Sequence, residues 1–211
     1  MNYMKILFFL LISICNAYNL CVVGGTSGLG RELIYQAISS NNKVLALTNN
    51  SLTIDYPYRG GGLNIGINDK KIVSENLQVD SYSNFNKYIF DNIVFTTGAG
   101  PFEYDYSDIL TDNILNKLNS KLNGMVLVSA HGVGNSLKDS NIGIKLMDNI
   151  YLKDAYRAKN RQEKVVKKYG VQKKINTFII RPKALSYGQN MYSIKSRQTL
   201  AKEILEYLYL L

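Results

Sequence analysis

The chain has 211 residues, 46% hydrophobic and 19% charged, which suffices for one α/β domain with a full core and excludes wholesale disorder. Its 25 Lys and Arg against 16 Asp and Glu leave a net charge of +9, and much of the basic excess lies over residues 153–174. A basic helix there reads as a solvated face, with phosphate-rich ligands, RNA or an anionic membrane surface as alternatives; no aromatic RNA-binding signature accompanies it, which argues against nucleic acid.

The chain opens with a short segment carrying Lys5, an apolar run from Ile6 to Cys15, and the small residue Ala17. This pattern fits a cleavable signal peptide over 1–17, leaving 18–211 as the mature domain, and is too short for a comfortable membrane span. An uncleaved anchor or an N-terminal strand extension is the alternative. No later segment is long enough to span a bilayer, so no membrane span is expected in the mature chain.

Residues 20–23 (Leu20, Cys21, Val22, Val23) read as a buried strand. Gly24, Gly28 and Gly30 follow, and a helical apolar face begins at once with Leu29, Leu33, Ile34, Ala37 and Ile38. Strand, glycine turn and helix form the context in which such a motif cradles a pyrophosphate: the glycines let backbone approach, and the helix start offers unpaired N–H groups and a positive dipole end. Gly24, Thr26, Ser27, Gly28, Leu29, Gly30 and Arg31 are therefore candidate nucleotide-binding residues.

A second strand is expected over 43–48, ending in Thr48-Asn49-Asn50, where such folds read the adenosine ribose. An acid there selects NAD; this chain has none, so the expectation leans to NADP, with NAD the alternative and Arg31 or Arg59 as sources of charge. Residues 51–74 lack clean periodicity and read as a surface excursion around Gly60-Gly61-Gly62. A third strand over 77–80 ends at Asp80, which either stands beside the adenine or caps a helix predicted over 82–90. The fourth strand, 92–97, runs into Gly98-Ala99-Gly100, small enough for close approach to a cofactor. A helix over 107–122 and a strand over 125–128 follow, then Ser129-Ala130-His131-Gly132. A basic helix from 151 ends near Gly170, a strand covers 177–182, and a helix over 196–210 closes the chain. Strand–helix alternation with short loops implies a parallel sheet covered on both faces, with ligands at the C-terminal strand ends, where Gly24, Thr48, Gly98 and Ser129 converge.

The glycine motif, Asp80, Gly98-Ala99-Gly100, Ser129, Ala158-Lys159-x-x-x-Glu163 and Thr177-x-Ile179-Ile180-Arg181-Pro182 occur in the order found in atypical short-chain dehydrogenases/reductases. The chain resembles their NAD(P)-binding, NmrA-like subgroup, with plastid and biliverdin-reductase-B-like relatives, over nearly its whole length. The resemblance implies an α/β, Rossmann-like, doubly wound parallel sheet in a single domain. It also implies cofactor contacts at Lys159 and Pro182 and a carbonyl-orienting Ser129. The superfamily's proton-donating Tyr stands four residues before its Lys; here that position is Ala155, and Tyr156 is three before. His131, the chain's single histidine, is a candidate acid near neutral pH, or a structural residue beside a glycine turn.

The function expected is an NADPH-dependent oxidoreductase acting on a small carbonyl, quinone or conjugated substrate. The alternative is a non-catalytic nucleotide-binding scaffold, assembly factor or redox sensor, which the departure from the Tyr-x-x-x-Lys pair favours. Cys15 and Cys21 leave one thiol inside a strand after cleavage, unlike a disulfide-stapled secreted domain, and the sequon Asn49-Asn50-Ser51 falls at the expected ribose site. Entry to the secretory route followed by onward import, as in algae with complex plastids, reconciles these features.

Overall fold

The computed structural model describes residues 17–49, 55–56, 70–98, 105–137, 153–183, 185–186 and 195–210. Its centre is β1 (Ala17–Val23), whose last four residues are all buried. The chain turns through the glycines into α1 (Gly28–Ser39) and returns as β2 (Val44–Thr48). A short antiparallel pair, β3 (Asp55–Tyr56) and β4 (Lys70–Lys71), lies in the excursion. Then come β5 (Leu77–Ser81), β6 (Ile89–Phe95), α2 (Ser107–Asn116), β7 (Gly124–Val128), α3 (Lys153–Lys173) and β8 (Asn176–Ile180). The short parallel strands β9 (Leu185–Ser186) and β10 (Lys195–Ser196) precede α4 (Arg197–Tyr207).

Six strands form one parallel sheet in the order β5-β2-β1-β6-β7-β8. The order reverses between β1 and β6, whose register pairs Val22 with Val94 and Val23 with Phe95. Alternation along the strands divides the core into two layers. Leu20, Val22, Val44, Ala46, Val94 and Val126 face α1 and α4, where Leu33, Ile34, Leu200 and Ile204 cover them. Cys21, Val23, Leu45, Leu47, Phe95 and Met125 face the other layer, with Ile114, Leu115 and Val166 of α2 and α3. This is the doubly wound Rossmann-like sheet expected.

Several boundaries differ from the sequence reading. β1 begins at Ala17, where Ala17 pairs with Ile89 and Tyr18 with Phe90; residues 1–16 of the expected signal peptide lie outside the described residues. The helix predicted over 82–90 is a 3-10 turn over Tyr82–Lys87 only, because Phe90 is taken into β6 and wholly buried against the sheet. α2 stops at Asn116 rather than 122. Gly170 does not cap α3: the helix continues to Lys173, and the left-handed residue is Lys174, at φ 55°. A Cβ on Gly170 would stand 2.2 Å from Thr177 Oγ1, so this glycine lets α3 lie against β8. Among the described residues no helix is long and apolar enough to cross a membrane, and no group of three His, Cys, Asp or Glu is placed to hold a metal ion.

Candidate functional site

The glycine turn is built by close backbone approach. Gly24 has φ +95°, and a Cβ there would stand 2.8 Å from Thr96 Oγ1 and 3.1 Å from Thr97 N. A Cβ on Gly30 would stand 2.3 Å from the Gly24 carbonyl oxygen. Ser27 caps α1: its Oγ accepts from Gly30 N at 2.8 Å and donates to Thr96 Oγ1 at 3.1 Å. Thr96 Oγ1 in turn donates toward the carbonyls of Val23 and Gly24, each at 3.0 Å, which fastens the end of β6 to the turn.

A cleft of about 570 Å³ opens at this edge, at the point where strand order reverses. Gly24, Thr26 and Ser27 form one wall, Thr96, Thr97 and Gly98 the floor, and Asp105 to Ser107 with Leu110 of α2 the other wall. Asn49, which is exposed, lines it beyond the end of β2, and so does Tyr82, whose hydroxyl burial pushes up to about 12. Depressions of about 610 and 620 Å³ lie elsewhere, one at the N-terminal strand edge and one beside β8. Neither contains the glycine turn or the start of α1, so chemistry rather than size selects the first.

The structure sorts the sequence candidates. Gly24, Thr26, Ser27 and Gly98 line the cleft. Gly28 and Gly30 open α1 beside it, and Leu29 is 5% exposed with its side chain in the core. Arg31 is half-buried on the first turn and is not part of the lining; Thr48 is buried at the end of β2, and Asn49 takes the position facing the cleft. Asp80 is committed locally: its carboxylate accepts from Ser81 N (2.7 Å), Asn84 Nδ2 (2.8 Å) and Tyr88 Oη (2.6 Å), and the Asn84 and Tyr88 bonds hold it below the usual carboxylate range. Ala99 and Gly100 lie outside the described residues.

Lys159 and Ser129 do not line the cleft. Lys159 is 7% exposed, and its Nζ donates to the carbonyls of Thr97 and Val128 and to Gln162 Oε1 (2.9 Å). A Cβ on Gly98 would meet Lys159 Cε at 3.2 Å, so the ammonium stands directly behind the floor. Burial pushes its pKa down to about 8, against the opposing charges of Asp105 and Glu163. Ser129 is buried beside Glu163 and favours that carboxylate's ionised form without a well-aligned hydrogen bond to its Oγ. Glu163 receives Arg181 in a two-point pair, Nε to Oε1 at 2.7 Å and Nη2 to Oε2 at 2.6 Å. His131 is half-buried on the loop after β7, with its backbone N–H donating to the Pro182 carbonyl at 3.0 Å. None of the sequence candidates Ser129, His131 and Pro182 lines the cleft. Ala155 is buried, and the Tyr156 ring covers Gly132, whose Cβ would stand 2.9 Å from Tyr156 Cε2.

Sequence reading missed Thr96, Thr97, Tyr82, Gln162 and the Asp105–Ser107 wall; it placed Asn49 at the ribose end of β2 but singled out Thr48 there. The one usable signal for the wall is an Asp two residues before a helix: Asp105 Oδ1 accepts from Ser107 N at 2.8 Å.

No protein-family model matches the chain, and no curated protein matches it. Solved structures do. ChuY, an anaerobilin reductase from Escherichia coli O157:H7, superposes with a TM-score of 0.59 at 14% identity, over 89% of each chain. WbmH of Bordetella bronchiseptica, solved in complex with NAD+, gives 0.60 at 10% identity, over 92% of this chain and 73% of its own. SP1627 of Streptococcus pneumoniae, a putative NADH-flavin reductase, gives 0.56 at 12% identity, over 91% and 93%. The chain thus has the Rossmann-like fold of reductase-like and epimerase-like NAD(P)-binding proteins, the fold that its resemblance to atypical short-chain reductases implies.

Proposed function

We propose that the chain is an NAD(P)-binding oxidoreductase that prefers NADPH and reduces a small carbonyl, quinone or conjugated compound. The observation that carries this reading is the cleft at the strand-order reversal. Its glycine wall has no room for side chains at Gly24 and Gly30, and the Ser27-capped start of α1 stands beside it. These residues fit a dinucleotide: backbone N–H groups at the start of α1 for the pyrophosphate, Thr26 for phosphate oxygens, Asn49 for the ribose, with Ser27 holding the turn through Gly30 N and Thr96. When bound, the nicotinamide supplies hydride. The chain's own contribution is to bind, to orient, and to place the Lys159 charge behind Gly98. The end of β2 offers no acid to select NAD, which supports NADP.

Calorimetry is the first test. Wild-type protein binds NADPH more tightly than NADH, and Gly28→Asp loses both by setting bulk and negative charge at the start of α1. A folded wild type that binds neither overturns the reading; tighter NADH binding overturns only the NADP preference.

A second reading, a non-catalytic nucleotide binder, is favoured by two observations. Position 155 is Ala, and the Lys159 ammonium is occupied by three protein acceptors. Steady-state NADPH oxidation over a panel of quinones and aldehydes separates the two: turnover supports the enzyme, and binding without turnover supports the scaffold.

Residues 1–17 act in this reading as a signal peptide that starts a route to a complex plastid. The apolar run closing at Ala17 supports it, and removal leaves β1 from Tyr18 onward. Mass spectrometry of protein from its native source finds Tyr18 or Asn19 at the N-terminus; an intact Met1 overturns it.

A further inference from the structure

Among the described residues no Lys or Arg side chain lines the cleft, although the chain carries a net charge of +9. The positive charge placed against it stands one layer back, beneath Gly98, and belongs to Lys159. Two backbone carbonyls, of Thr97 and Val128, and one side chain accept from it, and that side chain is one neither motif nor spacing identified. Gln162 lies one turn along α3 and is 0% exposed. Its Oε1 accepts from Lys159 Nζ at 2.9 Å. Its Nε2 donates to Thr111 Oγ1 of α2 at 2.8 Å and makes a longer contact, 3.4 Å, with Thr97 Oγ1 in the cleft floor. One side-chain amide therefore joins α2, α3 and the end of β6, with its oxygen and both amide hydrogens engaged.

We propose that Gln162 is a positioning residue of the cleft, which fixes the Lys159 ammonium beneath Gly98 and the Thr97 hydroxyl in the floor so that an anionic dinucleotide meets a fixed positive charge. The proposal rests on the nucleotide reading of the cleft. An amide suits the position for a physical reason. Its oxygen accepts from the ammonium while its nitrogen donates to two threonine hydroxyls; a leucine would do neither, and a glutamate would accept only. Removing an acceptor from a buried ammonium leaves a donor unsatisfied and favours the neutral amine. The charges facing Lys159 are Asp105, before α2, and Glu163, on α3; Glu163 is itself paired with Arg181 after β8.

The test compares wild type with Gln162→Leu, Gln162→Glu and Thr111→Val, and reads two quantities: NADPH affinity against pH, and the titration of the Lys159 Nζ in ligand-free protein by nitrogen NMR. Wild-type affinity falls as pH rises through about 8, where Lys159 loses its proton. Gln162→Leu moves both midpoints down by roughly one unit, so that binding weakens about twofold at pH 7 and approaches a tenfold loss above pH 8. Gln162→Glu moves both midpoints up, because a carboxylate then faces the ammonium. Thr111→Val, which only frees one amide hydrogen, gives a smaller loss and keeps the assay informative if Gln162→Leu fails to fold. A purely structural Gln162 would lower the melting temperature and leave the midpoints where they are. Unmoved midpoints in folded Gln162→Leu and Gln162→Glu overturn the proposal. A wild type that binds no nucleotide, whatever the titration does, overturns the reading of the cleft and the positioning role with it.

Discussion

Gly24 and Gly30 carry different demands. Gly24 needs its left-handed φ of +95°, whereas Gly30 has an ordinary helical backbone and simply leaves no space, its Cβ falling 2.3 Å from a carbonyl oxygen. Gly30→Ala therefore forces the turn apart; we expect a loss of about 1–3 kcal/mol in urea unfolding, together with loss of nucleotide binding. Glu163 presents another residue-scale test. Its side chain is 3% exposed and its partner Arg181 24% exposed, so Glu163→Gln leaves a largely desolvated guanidinium without its countercharge. About 2–3 kcal/mol of stability should be lost, below the roughly 3–5 kcal/mol of a fully buried broken pair because Arg181 keeps some water. The pH dependence has a definite sign. Burial alone would raise the Glu163 pKa, but Arg181, together with Ser129 and the Lys167 charge, outweighs it, and the folded value lies below the ordinary 4.5. The stabilisation is complete above that ordinary value and is lost as pH falls through the folded one; Glu163→Gln flattens this part of the acid-unfolding profile. The glycines were legible in the sequence because their spacing is local. The ion pair was not, because its members stand 18 residues apart on α3 and after β8.

At the scale of elements, two helices share one device and differ in what they face. Ser27 caps α1, and Ser196 caps α4 by accepting from Thr199 N at 3.0 Å. Ser27→Ala and Ser196→Ala should each cost about 1 kcal/mol in thermal or urea unfolding. Only Ser27→Ala should also weaken nucleotide binding, because α1 begins at the cleft and Ser196 does not line it. Equal effects of the two variants on affinity would remove the start of α1 from the site. The element misread from sequence, 82–90, shows where periodicity fails. Tyr82, Phe85, Tyr88 and Phe90 suit a short helix or a strand equally well. Pairing with β1 decides: Tyr18 meets Phe90 and Cys21 meets Ile93, and the ladder hydrogen bonds exist only for the extended chain. Gly170 was misread for the same reason. A glycine near a helix end suggests a cap, but here β8 lies against it and Thr177 occupies the missing Cβ position.

The whole molecule behaves as one sheet with two covered faces, and β1 paired with β6 joins its halves. A ligand seated where those halves meet should stabilise both together. NADPH at a hundred times its dissociation constant should add about 2.7 kcal/mol to the unfolding free energy, in a single transition. Two separable transitions, or no shift at saturation, would count against a nucleotide at the junction. The sequence by itself determined the alternation of strands and helices, the glycine turn, and the convergence of Gly24, Gly98 and the end of β2 on one edge. Apolar period and glycine spacing are local properties, and parallel strands must place successive C-terminal ends together. Tertiary structure alone decided which polar groups reach the cleft. Lys159 is near Gly98 in the fold but behind it, because a buried ammonium is held where acceptors stand, and the ends of β6 and β7 and Gln162 supply them. Asn49 rather than Thr48 faces the cleft, because Thr48 is still inside the sheet. The start of α2 forms the opposite wall only because α2 packs on α3 across the sheet from α1. Such placements depend on where one element meets another, and no window of sequence contains both partners.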